Sequence, residues 1–204
     1  MAAKAKRKST VGEATRDVVD AALELAAQQG WRHTTLADIA AAAGLTLADL
    51  YRQYPAKNAI LAELSRRADA AMLAAAGTDD DPVRDRLFAV LMARFDLLRP
   101  YREGLRRVIR DSALDPCAVL AGGASLGRSL GWALELAGVS ADGPAGLLRR
   151  KGLGLVYADA VRIWLTDESE DMGKTMARLD SGLGRAETLV NWFHRPRKTA
   201  ESAT

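Results

Sequence analysis

Few side chains in this 204-residue chain could make or break bonds. His33 and His194 are its two histidines, and Cys117 is its single cysteine. A metal cluster or a Ser-His-Asp arrangement would need more His and Cys, or a histidine beside a pocket. One cysteine excludes an intrachain disulfide and a thiolate zinc cluster, and Cys117 reads as a small buried packing residue. Asp167-Glu168 and Glu170-Asp171 are ordinary solvated charges at a helix end. No enzymatic activity, cofactor or metal is therefore expected. What remains is recognition of phosphate. Lys57 opens a helical stretch, where the macrodipole favours acids, and a lysine there fits best if a phosphate meets the same helix end.

The segment that must position such contacts runs from Thr34 to Lys57. Leu36, Ile39, Ala40 and Ala43 recur at helical spacing and give one apolar face. Thr34 or Thr35 can cap that helix, with Asp38 adding charge near its positive end. Gly44 falls where the helix must stop, because glycine takes a left-handed C-cap without penalty. Thr46 offers a second N-cap, and Leu47, Leu50 and Tyr51 start another face. Pro55 disfavours helix at Tyr54, so the second helix is barely two turns long. Two short helices about a glycine turn form a helix-turn-helix pattern, whose second helix enters the DNA major groove.

On these residues the chain resembles a known family. Gly44-x-x-x-x-Leu50-Tyr51-x-x-Tyr54-Pro55-x-Lys57-x-x-Ile60-Leu61, preceded by Leu36-Ala37-Asp38-Ile39-Ala40, looks like the N-terminal domain of the TetR-type bacterial repressors. The similarity spans about Arg16 to Leu64. The chain departs from the family pattern at Ala48, Asp49, Gln53, Tyr54 and Asn58, and Asp49 would bring negative charge to the reading helix. The resemblance implies that Thr35, Thr46, Tyr51 and Lys57 position phosphates and that Leu47, Asp49 and Arg52 face the groove, with Tyr54 closing the motif. It also implies a double-stranded DNA operator and a homodimer built through the two C-terminal helices.

Composition agrees with a folded protein: 49% of residues are hydrophobic and 27% charged. No apolar run approaches the roughly 20 residues needed to cross a bilayer. Lys4, Lys6, Arg7 and Lys8 lack the apolar stretch of a secretory signal, so a cytoplasmic location is expected. The net charge is +3, but it is unevenly spread. The N-terminal four charges, with Arg195, Arg197 and Lys198 offset by Glu201, leave the body negative. Positive charge thus gathers where arms could follow phosphates.

Taken in order, the chain reads as all-α, with a basic disordered arm at 1–9 and a disordered tail at 194–204. A three-helix head is expected over 10–56 and a ligand-binding and dimerisation body over 57–193. The first helix spans Thr10 to Gln29, with Trp31 packing under the motif. A linking helix covers 57–76, with Arg66 and Arg67 in solvent. Later helices are expected from Asp81-Pro82 to Arg99-Pro100, from Tyr101 to Ser112 with Leu105, Val108 and Ile109 inward, and from Pro116 to about Ala137. Two more run from Pro144 to Trp164-Leu165 and from Thr166-Ser169 to Phe193. The Pro116 helix carries Gly122, Gly123, Gly127 and Gly131, which weaken a helix and point to close approach or space for a ligand. Phe88, Phe95, Tyr101 and Trp132 are expected to surround a pocket for an unknown hydrophobic small molecule that controls operator affinity.

A second resemblance lies near the end. Trp164-x-x-Asp167-x-Ser169-x-Asp171-x-x-x-Thr175-x-x-x-Leu179-Asp180-x-x-Leu183 looks like the C-terminal segment of the TetR-like ubiquinone-biosynthesis accessory proteins. That resemblance implies, as the alternative, a lipid-binding protein with a membrane or hydroxylase partner and no DNA binding. Retention of the reading-helix pattern puts the transcriptional regulator first.

Overall fold

The computed structural model describes residues 16–194 apart from 78, 79 and 114, with side chains described to residue 188. The basic arm, the residues from Thr10 to Thr15, the tail from residue 195 onward and the side chains of Val190 and Phe193 lie outside the described residues. Among those described, every regular element is helical.

α1 (Val18–Gln29) begins after Asp17, whose carboxylate accepts from the Val19 and Asp20 amides. The described helix therefore starts at an aspartate cap, not at Thr10. Arg67, expected in solvent, instead reaches back and grips both oxygens of Asp17, at 3.1 and 2.8 Å. That bidentate pair holds the Asp17 carboxyl below the usual range and ties α1 to α4 (Lys57–Ala74). α2 (Leu36–Ala42) and α3 (Leu47–Gln53) follow as two short helices. Between them Gly44 takes φ +70°, and the Leu45 amide closes onto the Ala40 carbonyl.

The body continues with α5 (Val83–Leu98), a short 3-10 turn at Arg99–Tyr101 and α6 (Arg102–Ser112). α7 (Pro116–Leu136), α8 (Gly143–Trp164) and α9 (Gly173–His194) complete it. Pro82 occupies the cap position of α5 in place of Asp81. Ile109, expected inward on α6, is exposed, whereas Val108 is buried. Cys117, expected to be buried, is exposed near the start of α7.

α6 joins body to head. A Cβ at Gly104 would run into the Leu23 carbonyl, so only glycine lets α6 cross α1 this closely. Beside that crossing, the Tyr101 hydroxyl donates to Asp20 at 2.7 Å and the Arg32 amide donates to Asp111 at 3.2 Å. Burial and the Asp20 bond push the Tyr101 phenol up to about 12.

The body core corrects the expected pocket lining. Phe95 is fully buried, stacked on Tyr157 at 5.0 Å and tilted against Trp164 at 5.7 Å. It fills the centre of the bundle rather than a cavity wall. Next to it the buried Arg94 donates to the Tyr157 hydroxyl, to Ser65 and to Asp69, while Ser129 donates to the other Asp69 oxygen. A buried guanidinium is tolerable only with its donors met in this way, and the cluster locks α4, α5, α7 and α8 together.

The residues of the second resemblance build the corner between α8 and α9. Asp167, fully buried, accepts from the Thr175 amide and hydroxyl (2.9 and 2.7 Å) and from the Ser169 amide and hydroxyl (3.2 and 2.5 Å). Burial would raise its carboxyl, but these donors outweigh it and hold the group well below the ordinary range. Arg102 donates to the Asp167 carbonyl, so the corner is also pinned to α6. Trp164, Leu179 and Leu183 pack beneath it in the core.

Candidate nucleic-acid interface

α3 turns one residue inward. Leu50 is fully buried, while Leu47 is 51% and Tyr51 62% exposed, and Arg52 and Gln53 are exposed beside them. The inward side packs against α2, whose Ile39 and Ala40, with the capping Ala43, belong to the same buried core. The outward side carries an aliphatic group, a phenol and a guanidinium, the set able to meet thymine methyls, phosphates and guanine edges.

Both threonines are spent as caps. Thr46 accepts from the Asp49 amide at 3.1 Å and donates to the Asp49 carboxylate at 2.6 Å. Thr35 does the same with Asp38, at 3.1 and 2.7 Å. Each hydroxyl has one hydrogen to donate, so neither has one left for a phosphate in this arrangement. Their backbone and methyl groups still stand at the two helix starts.

Asp49 does not project an unbalanced charge. Besides its cap bonds it pairs with Arg52 at 2.9 Å, one turn further along. The charge that the sequence pattern sets against DNA is thereby balanced within α3. Aspartate and arginine three apart were a legible signal of this pair, since that spacing places both on one side of a helix.

Two residues expected at the DNA surface, Lys57 and Tyr54, are engaged within the head. Lys57 turns inward: its ammonium donates to the carbonyls of Trp31 at 2.6 Å and Thr34 at 2.8 Å, and lies 4.5 Å from the Trp31 ring centre. Partial burial lowers its pKa. The lysine at the start of α4 thus satisfies carbonyls left free where α1 gives way to α2. No sequence signal could have shown this, because the partners lie 26 and 23 residues away. Tyr54 is half-buried, packs against the core and has its phenol raised by burial, so it closes the motif from inside. Arg32 and His33, which lie on the α1–α2 connection and were not singled out, are exposed near the same end.

The expected body pocket is not where its four aromatics are. Phe95 is core, and Trp132 is 60% exposed on the outside of α7. Phe88 is half-buried against the core, and Tyr101 is committed to α1. Among the concavities of the body is an open groove of about 380 Å³ between α7 and α8, with none of the four in its lining. Gly123 and Gly127 of the glycine-rich helix lie in its lining. No group of three or more His, Cys, Asp or Glu that could hold a metal is found among the described residues.

Residues 18–64 match the model of the bacterial regulatory proteins of the tetR family. No curated protein matches the sequence. Among solved structures, a TetR transcriptional regulator from Nitrosomonas europaea superposes with a TM-score of 0.71 at 25% identity, covering 84% of this chain and 96% of that one. A TetR transcriptional regulator from Rhodococcus sp. RHA1 gives a TM-score of 0.60 at 17% identity over 82% and 92% of the two chains. The TetR family regulator PfmR from Thermus thermophilus gives 0.51 at 22% over 83% and 98%. The last two likenesses concern the fold alone.

Proposed function

We propose that this chain, whose residues 18–64 match the tetR family model, is a member of that family and a DNA-binding transcriptional regulator of the repressor type. The carrying observation is the outward face of α3, where Leu47, Tyr51 and Arg52 stay exposed while Leu50 anchors the helix. The head of residues 10–56 reads the operator, and the body of 57–193 carries a hydrophobic ligand and the dimer contact. Leu47 and Arg52 face the groove. Tyr51 and the helix starts at Thr35 and Thr46 meet phosphates.

Two half-sites require two heads, so the working unit is a homodimer. Leu179 and Leu183 of α9 are buried inside the chain and are not open to a partner. α8 supplies the outward contact through Leu148 and Leu155, 72% and 75% exposed and two turns apart on one face. Replacing both by glutamate yields a monomer by sedimentation at micromolar concentration; an unchanged dimer removes this face from the proposal.

The function itself is tested by selecting bound fragments from genomic DNA at low salt. An enriched palindrome is expected, and its absence sinks the regulator reading. The residues behind the accessory-protein alternative are spent on the α8–α9 corner, and no observation favours that role.

A further inference from the structure

The groove between α7 and α8 combines two surfaces rarely left open together. Its floor is glycine: a Cβ at Gly123 or Gly127 would meet nothing within 4 Å. Leu126, Leu130 and Leu147 supply apolar walls, and Arg128, Arg150 and Lys151 stand on its rim. No acidic residue lines it. None of the three cations forms an ion pair with a described residue. The Arg150 stem lies over α7 at Gly131, where a Cβ would come within 3.3 Å of its Cδ. That path leaves Arg150 Nε buried and without a hydrogen-bond partner among the described residues. Three cations in a lining without an acid are suited to charge-assisted bonds with an anion.

We propose that this groove binds a free, single-chain amphiphile with an anionic head, its aliphatic tail along the glycine floor and its head between Arg128, Arg150 and Lys151. This gives a chemical class to the ligand proposed above and rests on that reading. The groove volume of about 380 Å³ falls within the range of about 300–1,000 Å³ usual for small-molecule sites. A second copy of the chain is the poorer occupant. A two-fold contact would set the same three cations against themselves, with no acid in the lining to balance them. The face carrying Leu148 and Leu155 is centred about a quarter turn further round α8, and it borders the groove at Lys151, which stands three residues after Leu148 and four before Leu155.

The test uses the full chain without DNA and isothermal titration with dodecanoate, dodecyl phosphate and dodecanol, each below its aggregation limit. Both anions are expected to bind, and the alcohol about tenfold or more weaker, because it lacks the charge-assisted bonds. The ratio between the two anions tells a carboxylate from a phosphate head. Arg128→Gln with Lys151→Gln, both exposed positions, is expected to bring the anions down to the alcohol's affinity. Gly127→Leu is expected to abolish binding of all three with helix content unchanged, since leucine is the better helix former and its Cβ meets open space. Equal affinity for anion and alcohol, or wild-type binding by the double variant, overturns the proposal. So does preference for anionic vesicles over the free amphiphiles. Operator release is scored separately: probe binding without release supports the groove and removes only its regulatory role.

Discussion

α2 and α3 begin with the same four residues, Thr35-Leu36-Ala37-Asp38 and Thr46-Leu47-Ala48-Asp49, and they are used differently. In both, threonine caps the aspartate amide and donates to its carboxylate. Beyond the cap they diverge. Asp38 also takes the Thr35 amide at 2.9 Å, completing a reciprocal capping box. Asp49 pairs instead with Arg52, where α2 has Ala41 at the equivalent position. α2 buries Ile39 and Ala40 and leaves only small or capping groups outside, whereas α3 buries Leu50 alone and presents leucine, tyrosine and arginine. Local sequence decides that both segments start as helices. What each helix carries after its first turn decides which one can read DNA.

The largest effects test the claim that the two inward anchors are equivalent. Ile39→Ala and Leu50→Ala each remove a fully buried side chain, and each is expected to cost about 2–5 kcal/mol by denaturant unfolding. A mild Leu50→Ala would mean that α3 is not seated on the same core.

The outward faces should then separate. Arg52→Ala is expected to change operator preference by about 1–3 kcal/mol per affected base while leaving thermal stability nearly unchanged. Ala41→Ser, at the matching exposed position of α2, is expected to leave operator affinity unchanged. Fragment selection with each variant checks both. Lys57→Ala should behave opposite to a phosphate contact. It is expected to destabilise the head by about 1–3 kcal/mol through two orphaned carbonyls, with no change in the salt slope of DNA binding. A slope flattened by about one unit would restore the phosphate role.

The caps themselves should be nearly equal. Thr35→Ala and Thr46→Ala are each expected to cost about 1 kcal/mol in thermal unfolding. The smallest effect is in acid. Hydrogen bonds from the Thr35 hydroxyl and amide hold the Asp38 carboxyl below its ordinary 3.8. A carboxyl depressed by folding contributes its stability above the unfolded value and loses it as pH falls through the folded one. Asp38→Asn is therefore expected to flatten the stability curve below about pH 4 and to leave the neutral plateau shape unchanged. Denaturant unfolding between pH 5 and 2 reads the difference, and an unchanged acid limb would break the capping-box account.

Residue type and spacing alone determined the all-α class, the glycine turn at Gly44, the threonine caps and the family resemblance. These rest on interactions within four or five residues, where the chain's own geometry fixes the partner. Tertiary structure decided the rest. Lys57 and Arg67 are long chains whose heads can reach solvent or fold inward. Their direction was set by the Trp31 and Thr34 carbonyls and by Asp17, all distant in sequence. Phe95 and Trp132 are both aromatics on apolar helices, yet one is at the centre and the other outside. Periodicity marks a helix as apolar, but when apolar residues surround it, as on α7 and α8, only the packing of its neighbours selects the side that leaves water.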